Sequence, residues 1–133
     1  MPESIKIGPI EAVRKFVEGF NNGDVELAQA ACAHQISIID DFPPYGWQGG
    51  GAMTGWFRDL ARMSTEHGMS DPWVTLREPL QVEMTDRKAY MVVPIDVGWL
   101  QNGARAERTG FMTIVLWEEA EGWRISACAW TWN

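Results

Sequence analysis

Two adjacent aspartates end an apolar run in the stretch ISIIDDFPPYGWQGG, residues 36–50. Successive side chains of a strand point to opposite faces. Ile36, Ile38 and Asp40 therefore share one face, and Ser37, Ile39 and Asp41 the other. If the isoleucines face the core, Asp40 sits at its edge, facing a cavity. A carboxyl group partly withdrawn from water is harder to ionise, which makes it a competent acid or base near neutral pH. Asp41 then points away, to solvent or to an interface. The same residues also suit a surface turn, because an aspartate before Pro43-Pro44 can accept from nearby backbone N–H groups. Tyr45 and Trp47 are placed to rim or cover a pocket mouth. Equally, Trp47 fits as a seal on the edge of the helix that follows.

Other reactive side chains are sparse. Cys32 and Cys128 have no metal-ligand spacing and no adjacent activating base, which reads as buried free thiols. The two histidines, His34 and His67, fall in an inter-element loop and at a helix end. No metal site is expected. A net charge of −7 argues against nucleic acid, since binding phosphates needs clustered Lys and Arg. The 133 residues suit one domain over 1–133. With 46% apolar residues the chain can form a core and is not intrinsically disordered. No apolar window of about 18 residues offers a membrane span. The start, MPESIKIGPIEAVRKF, lacks the basic head and apolar run of a secretory signal. A soluble cytoplasmic protein is expected. Eight tryptophans are many for this length, and such rings concentrate in pockets and interfaces.

Local patterns supply the elements that must position these groups. Gly8-Pro9 opens a helix with Pro in its first turn. Ile10, Val13, Phe16, Val17 and Phe20 form its apolar stripe, and Asn21-Asn22-Gly23 ends it. Asp24 caps a second short helix carrying Val25, Leu27, Ala28 and Ala31. The strand of Ile36–Asp40 follows. A third helix runs from about Met53 to His67 with Met53, Trp56, Phe57, Leu60 and Met63 on one face, and Gly68 stops it. From there the pattern is β. A strand runs from Val74 to Met84, broken by Pro79. Lys88–Leu100, Arg105–Trp117 and Trp123–Trp132 follow, joined by turns at 85–87, Asn102-Gly103 and 118–122. Helices first and an antiparallel meander afterwards predict an α+β domain with three helices packed on one face of the sheet.

Both faces of the late strands are apolar. Strict alternation puts Ile125 on one face of the last strand and Trp130 and Trp132 on the other. The outer sheet face, assigned Phe111, Trp117, Trp130 and Trp132, would then be an exposed apolar patch. A homodimer through that face is expected.

This order of elements, with FVEGFNNGDVE (16–26) near the start and WRISACAW (123–130) near the end, resembles the nuclear transport factor two-like superfamily. That superfamily includes SnoaL-like polyketide cyclases and ketosteroid isomerases. The resemblance implies a cone: a curved, mainly antiparallel sheet wraps three helices, with an apolar pocket at the open end and no cofactor. Set against a ketosteroid isomerase, Asp40 falls on the general base. The oxyanion donors, a tyrosine and an aspartic acid, fall on Phe16 and Ile114, which donate nothing. The histidine pair of dehydratases has no match on a pocket strand. The Asp–Arg–Asp set of the fold's epoxide hydrolases suggests Asp40, Arg108 and Asp96 as a polar trio. A SnoaL-like cyclase needs one acid or base and a shaped apolar cavity, with orientation supplying much of the rate. Asp40 within walls of Phe16, Trp56, Leu60, Met112 and Ile114 meets that description.

The expected function is therefore a cofactor-independent cyclase, isomerase or lyase acting on a small apolar molecule, with Asp40 as acid/base. The alternative is a non-catalytic ligand-binding or oligomerisation module of the same fold. Pocket polarity separates the two: an enzyme converges two or three polar groups, whereas a binding module leaves a lone aspartate among apolar walls.

Overall fold

The computed structural model describes residues 8–133, so the start of the chain, where the absence of a signal was read, lies outside the described residues. Helix α1 spans Pro9–Asn22 and α2 spans Val25–Ala30. Strand β1 is Cys32–Ile39, β2 is Gly46–Gly49 and α3 is Ala52–Glu66. Five strands complete the chain: β3 Met69–Leu76, β4 Gln81–Thr85, β5 Lys88–Gln101, β6 Ala104–Glu119 and β7 Gly122–Trp132. They form one mixed sheet in the order β2-β1-β7-β6-β5-β3, with β4 also paired to β5. Among the described residues only β1 and β7 run parallel; the other pairs are antiparallel. This is the expected α+β architecture of three helices on a curved sheet, and the sheet does not close.

The helices form where their signals lie. Pro9 sits in the first turn of α1, and Gly23 ends it at φ 66°, a left-handed conformation that costs glycine nothing. The Asp24 carboxylate accepts from the Leu27 N–H at 3.0 Å and caps α2. The α1 stripe of Val13, Phe16, Val17 and Phe20 and the α3 residues Met53 and Trp56 bury against the inner sheet face. That face presents Met91, Val93 and Ile95 from β5, Met112, Ile114 and Leu116 from β6, and Ile36 and Ile38 from β1. Asn21 ties α1 to the sheet edge: its amide donates to the Val74 carbonyl at 2.9 Å and accepts the Val74 N–H at 2.7 Å.

Three expectations are corrected. The strand read as Val74–Met84 is two strands: β3 begins earlier, at Met69, and residues 77–80, with Pro79, break the ladder. Each then pairs with a different half of β5, β3 along 95–101 and β4 along 88–92. The short strand β2 was not foreseen; it folds residues 46–49 back on β1 as a hairpin, and His34 lies on β1 rather than in a loop.

The third correction concerns the outer face. Val115 pairs with Ala127 and Leu116 with Ile125, so Ser126 is an extra residue on β7. Such a bulge shifts the alternation by one. Ile125, Cys128 and Trp130 consequently all bury on the inner face, and Trp132 follows them. Trp130 and Trp132 therefore do not belong to the outer surface. Trp117 does, being 48% exposed, and Phe111 lies half-buried on the same face, further back along β6.

Candidate functional site

The hairpin of β1 and β2 answers the question raised by the paired aspartates. Tyr45 donates its N–H to the Phe42 carbonyl at 2.8 Å, and Asp40 donates its own to the Tyr45 carbonyl at 3.1 Å. Residues 40–45 are a surface turn, and Asp40, which opens it, is also the floor of a pocket. Ile38 and Asp40 are buried while Ile39 between them is 58% exposed, as the pleat requires. Asp40 itself is 7% exposed.

The pocket has a volume of about 90 Å³. Its walls are largely aromatic and aliphatic, among them Trp56 and Leu60 from α3, Val97 and Trp99 from β5, and Trp130 and Trp132 from β7. Three indoles are stacked along it. Trp56 and Trp130 have ring centres 5.5 Å apart at 13°, and Trp130 and Trp132 are 6.0 Å apart at 14°. Gly110 faces Trp132 across the ladder, and a Cβ there would lie 2.7 Å from the Trp132 ring and 2.3 Å from the Thr131 carbonyl oxygen. The bare backbone at 110 is what lets this ring lie flat across β6.

The outer members of the stack both donate to Asp40. Trp56 Nε1–H reaches Oδ2 at 3.0 Å, and Trp132 Nε1–H reaches Oδ1 at 3.4 Å. The Asp41 backbone N–H adds a third bond to Oδ1 at 2.8 Å. These donors favour the carboxylate, but burial outweighs them. Desolvation pushes Asp40 up to about 6, against the opposing pull of Trp56, Asp41 N–H and Trp132. The middle indole, Trp130, keeps its N–H buried without a partner among the described residues.

Arg108 brings a positive charge to this rim. It pairs across the ladder with Val97, a pocket-lining position. Its guanidinium carbon lies 4.7 Å from the centre of the Trp132 ring. Its Nη2 stands 3.6 Å from Asp41 Oδ2, so Asp41 is exposed but leans over the mouth rather than away from it.

Of the expected trio, Asp40 and Arg108 converge and Asp96 does not. Strand β5 runs through Pro94 without losing register, so Asp96 faces the side opposite Ile95 and Val97. There it pairs with Arg77 at 2.8 Å. Among the expected walls, Trp56 and Leu60 line the pocket. Phe16, Met112 and Ile114 are buried core behind it; Phe16 packs on Trp56 and Trp130. Tyr45 is 58% exposed and does not line the pocket. Trp47 is a strut, not a lid. It is buried against Phe42 and donates to Asp59 Oδ2 at 2.8 Å, holding the hairpin to α3.

Sequence reasoning missed the two residues that shape the site most, Trp130 and Trp132, because the bulge is invisible to a strict period of two. It also missed Trp99 and Val97 on β5, although Val97 shares the alternation of Val93 and Ile95. Both thiols are buried and free. Burial pushes Cys32 up to about 12 and Cys128 well above the ordinary thiol range, so neither is a nucleophile at neutral pH. His67 ends α3 with Nδ1 2.9 Å from the Met63 carbonyl oxygen, a helix-end contact. Among the described residues, no three His, Cys, Asp or Glu side chains gather as a metal site, and no helix is long and apolar enough to cross a membrane.

No family sequence model and no curated protein matches the chain. Solved structures do. A ketosteroid isomerase-like protein from Erwinia carotovora atroseptica SCRI1043 superposes with a TM-score of 0.76 at 12% identity, over 99% of this chain and 98% of the other. A nuclear transport factor 2-like superfamily protein from Salmonella enterica serovar Typhimurium LT2 gives 0.74 at 16%, over 92% and 87%. A Streptomyces avermitilis protein of the same family, proposed to be a dehydratase, gives 0.77 at 15%, over 100% and 99%. The chain has the nuclear transport factor 2-like fold, as the order of its elements led one to expect. A fold shared by proteins named for different reactions leaves the reaction to be argued from the site.

Proposed function

We propose that this chain is a cofactor-independent enzyme that moves a proton on a small, largely apolar molecule, as an isomerase, cyclase or lyase, with Asp40 as the acid/base. The observation that carries the reading is Asp40 itself: a carboxyl group on the floor of an apolar pocket, oriented by two indole N–H donors, and raised to about 6. A base with that value is ionised at pH 7, yet holds a proton well enough to return it in a later step. The rival reading, a binding module, is disfavoured by the polar groups that converge at the same mouth, Asp40, Asp41 and Arg108. The reading includes a homodimer through the outer sheet face, now resting on Phe111 and Trp117 with Tyr90 exposed nearby. Sedimentation at micromolar concentration tests that element separately.

The test of the chemistry is deuterium exchange at the acidic α-carbons of 2-indanone, followed by proton NMR in D₂O. The protein should accelerate exchange, with a rate that rises as Asp40 ionises around pH 6. Asp40→Asn should lose the acceleration by roughly 10²-fold or more. Exchange unaffected by Asp40→Asn refutes the reading, and a carboxyl-carbon titration placing Asp40 at its ordinary value removes its physical basis.

A further inference from the structure

A base that takes a proton from carbon leaves an electron pair behind. In a carbonyl compound that pair moves onto oxygen, and the reaction is slow unless something stabilises the oxyanion. By the resemblance, Phe16 and Ile114 fall on the donor positions of the isomerases, and both are buried hydrocarbon. The donor must come from elsewhere in this pocket.

We infer that Arg108 is that group: its guanidinium receives the enolate oxygen of a ketone or ester whose α-proton is taken by Asp40. Three observations carry this. Among the described residues, Arg108 is the only cationic side chain lining the pocket. Among the described residues its guanidinium donates no hydrogen bond; its closest carboxylate, Asp41, is at 3.6 Å, beyond hydrogen-bond range. Finally, Trp132 serves both groups, holding the Asp40 carboxylate at its N–H edge and the guanidinium 4.7 Å from its ring centre. An indole ring fixes a planar guanidinium without using its N–H donors, which stay free for an oxygen in the pocket.

The charges favour this use. Asp40 and Asp41 both face the site with Arg108, so the empty mouth carries one negative charge more than positive. A substrate that arrives as an anion is repelled; a neutral carbonyl is not. When Asp40 takes the proton it becomes neutral, and the negative charge moves to the oxygen beside Arg108. The C–H bond breaks toward Asp40, the pair shifts into the C–O unit, and the reverse flow delivers the proton to the same or a neighbouring carbon. No further reactant is needed. The substrate class is thus a neutral carbonyl compound with an apolar body that lies along Leu60, Val97 and Trp99.

The inference rests on Asp40 being the base, so its test is chosen to read Arg108 without turnover. 4-Nitrophenol is the probe, because its phenolate mimics an enolate and absorbs apart from the phenol. Asp40→Asn keeps position 40 neutral, as after proton uptake. Bound to that variant, 4-nitrophenol should ionise more readily by about one unit or more, a tenfold preference for phenolate. Asp40→Asn/Arg108→Gln should abolish that preference and Asp40→Asn/Arg108→Lys should keep part of it. Equal phenolate preference with and without Arg108, binding as the neutral phenol, or no binding at all overturns the inference. So does tighter binding of benzylammonium than of 4-nitrophenol, which would make the aromatic walls a cation site. Failure of 2-indanone exchange in the otherwise unaltered protein strikes the proton-transfer reading alone.

Discussion

Two aspartates are buried in this protein, and each accepts a hydrogen bond from a tryptophan indole. Asp40 is 7% exposed and Asp59 is 8% exposed. Trp56 donates to one at 3.0 Å and Trp47 to the other at 2.8 Å. Their protonation behaviour is opposite. Asp59 is held below the ordinary carboxylate range, first by the Trp47 N–H, then by Arg58, with Arg62 adding to it. Asp40 is raised to about 6, because its donors are all uncharged and burial prevails. The guanidinium at the same mouth, Arg108, stands by Asp41 instead. A buried carboxylate matched by cations is a structural joint. One supplied only with dipoles stays poised between its two forms, which is what proton transfer requires.

Exchanging the two residues' chemistry tests that contrast. The largest difference should appear in activity: Asp40→Asn removes roughly 10²-fold or more of the 2-indanone exchange rate, whereas Asp59→Asn leaves it within a fewfold. Equal losses would erase the distinction. In urea unfolding at pH 8 the order reverses. Asp59→Ala leaves the Trp47 N–H buried without an acceptor and should cost about 1–3 kcal/mol. Asp40→Asn should cost nothing or stabilise, since it removes an ionised group the fold holds at a penalty.

The pH dependence carries the sign of that penalty. Asp40 titrates at 3.8 when unperturbed and at about 6 in the fold, so the protonated form is the one the fold favours. Its contribution is fully present below about pH 4 and is lost as the pH rises to 6. The span is worth about 3 kcal/mol. Asp40→Asn should therefore gain on the parent protein across pH 4–6 and run parallel to it above. A difference independent of pH would mean that Asp40 is not desolvated. The smallest effect sharpens the comparison: Trp56→Phe keeps most of the ring stack but deletes the stronger donor, so Asp40 should rise further. Trp132→Phe, losing the 3.4 Å bond, should move it less. Both are read from the carboxyl-carbon titration.

Much of this was visible in residue order. The pleat through Ile36, Ile38 and Asp40 placed the acid on the core side, and the α3 stripe placed Trp56 and Leu60 beside it. Asp59 carried an unread signal: it lies three residues from Trp56 and four from Met63, on the buried side of α3, between Arg58 and Arg62. Other features depend on pairings that no single segment contains. Asp96 faces outward because β5 keeps its register through Pro94, which only the neighbouring strand decides. Met112 and Ile114 share the inner face with the pocket residues, yet α1 covers that part of the sheet, so they became core rather than wall. Trp130 and Trp132 were assigned to the wrong face because Ser126 inserts one residue into an otherwise regular alternation.

That extra residue sets the phase of everything after it in β7. Without Ser126 the strand would alternate regularly and keep its phase, the indoles inward and Ala127 and Ala129 outward; drawing Ser126 into the ladder with no residue lost would turn the indoles outward and the small residues inward. The same eleven residues of β7 thus hold two faces, one that orients a carboxylate and one that would be an apolar exterior, and the bulge selects between them. In such a strand the choice between a pocket wall and a sticky surface is made by phase, not by the identity of any one side chain.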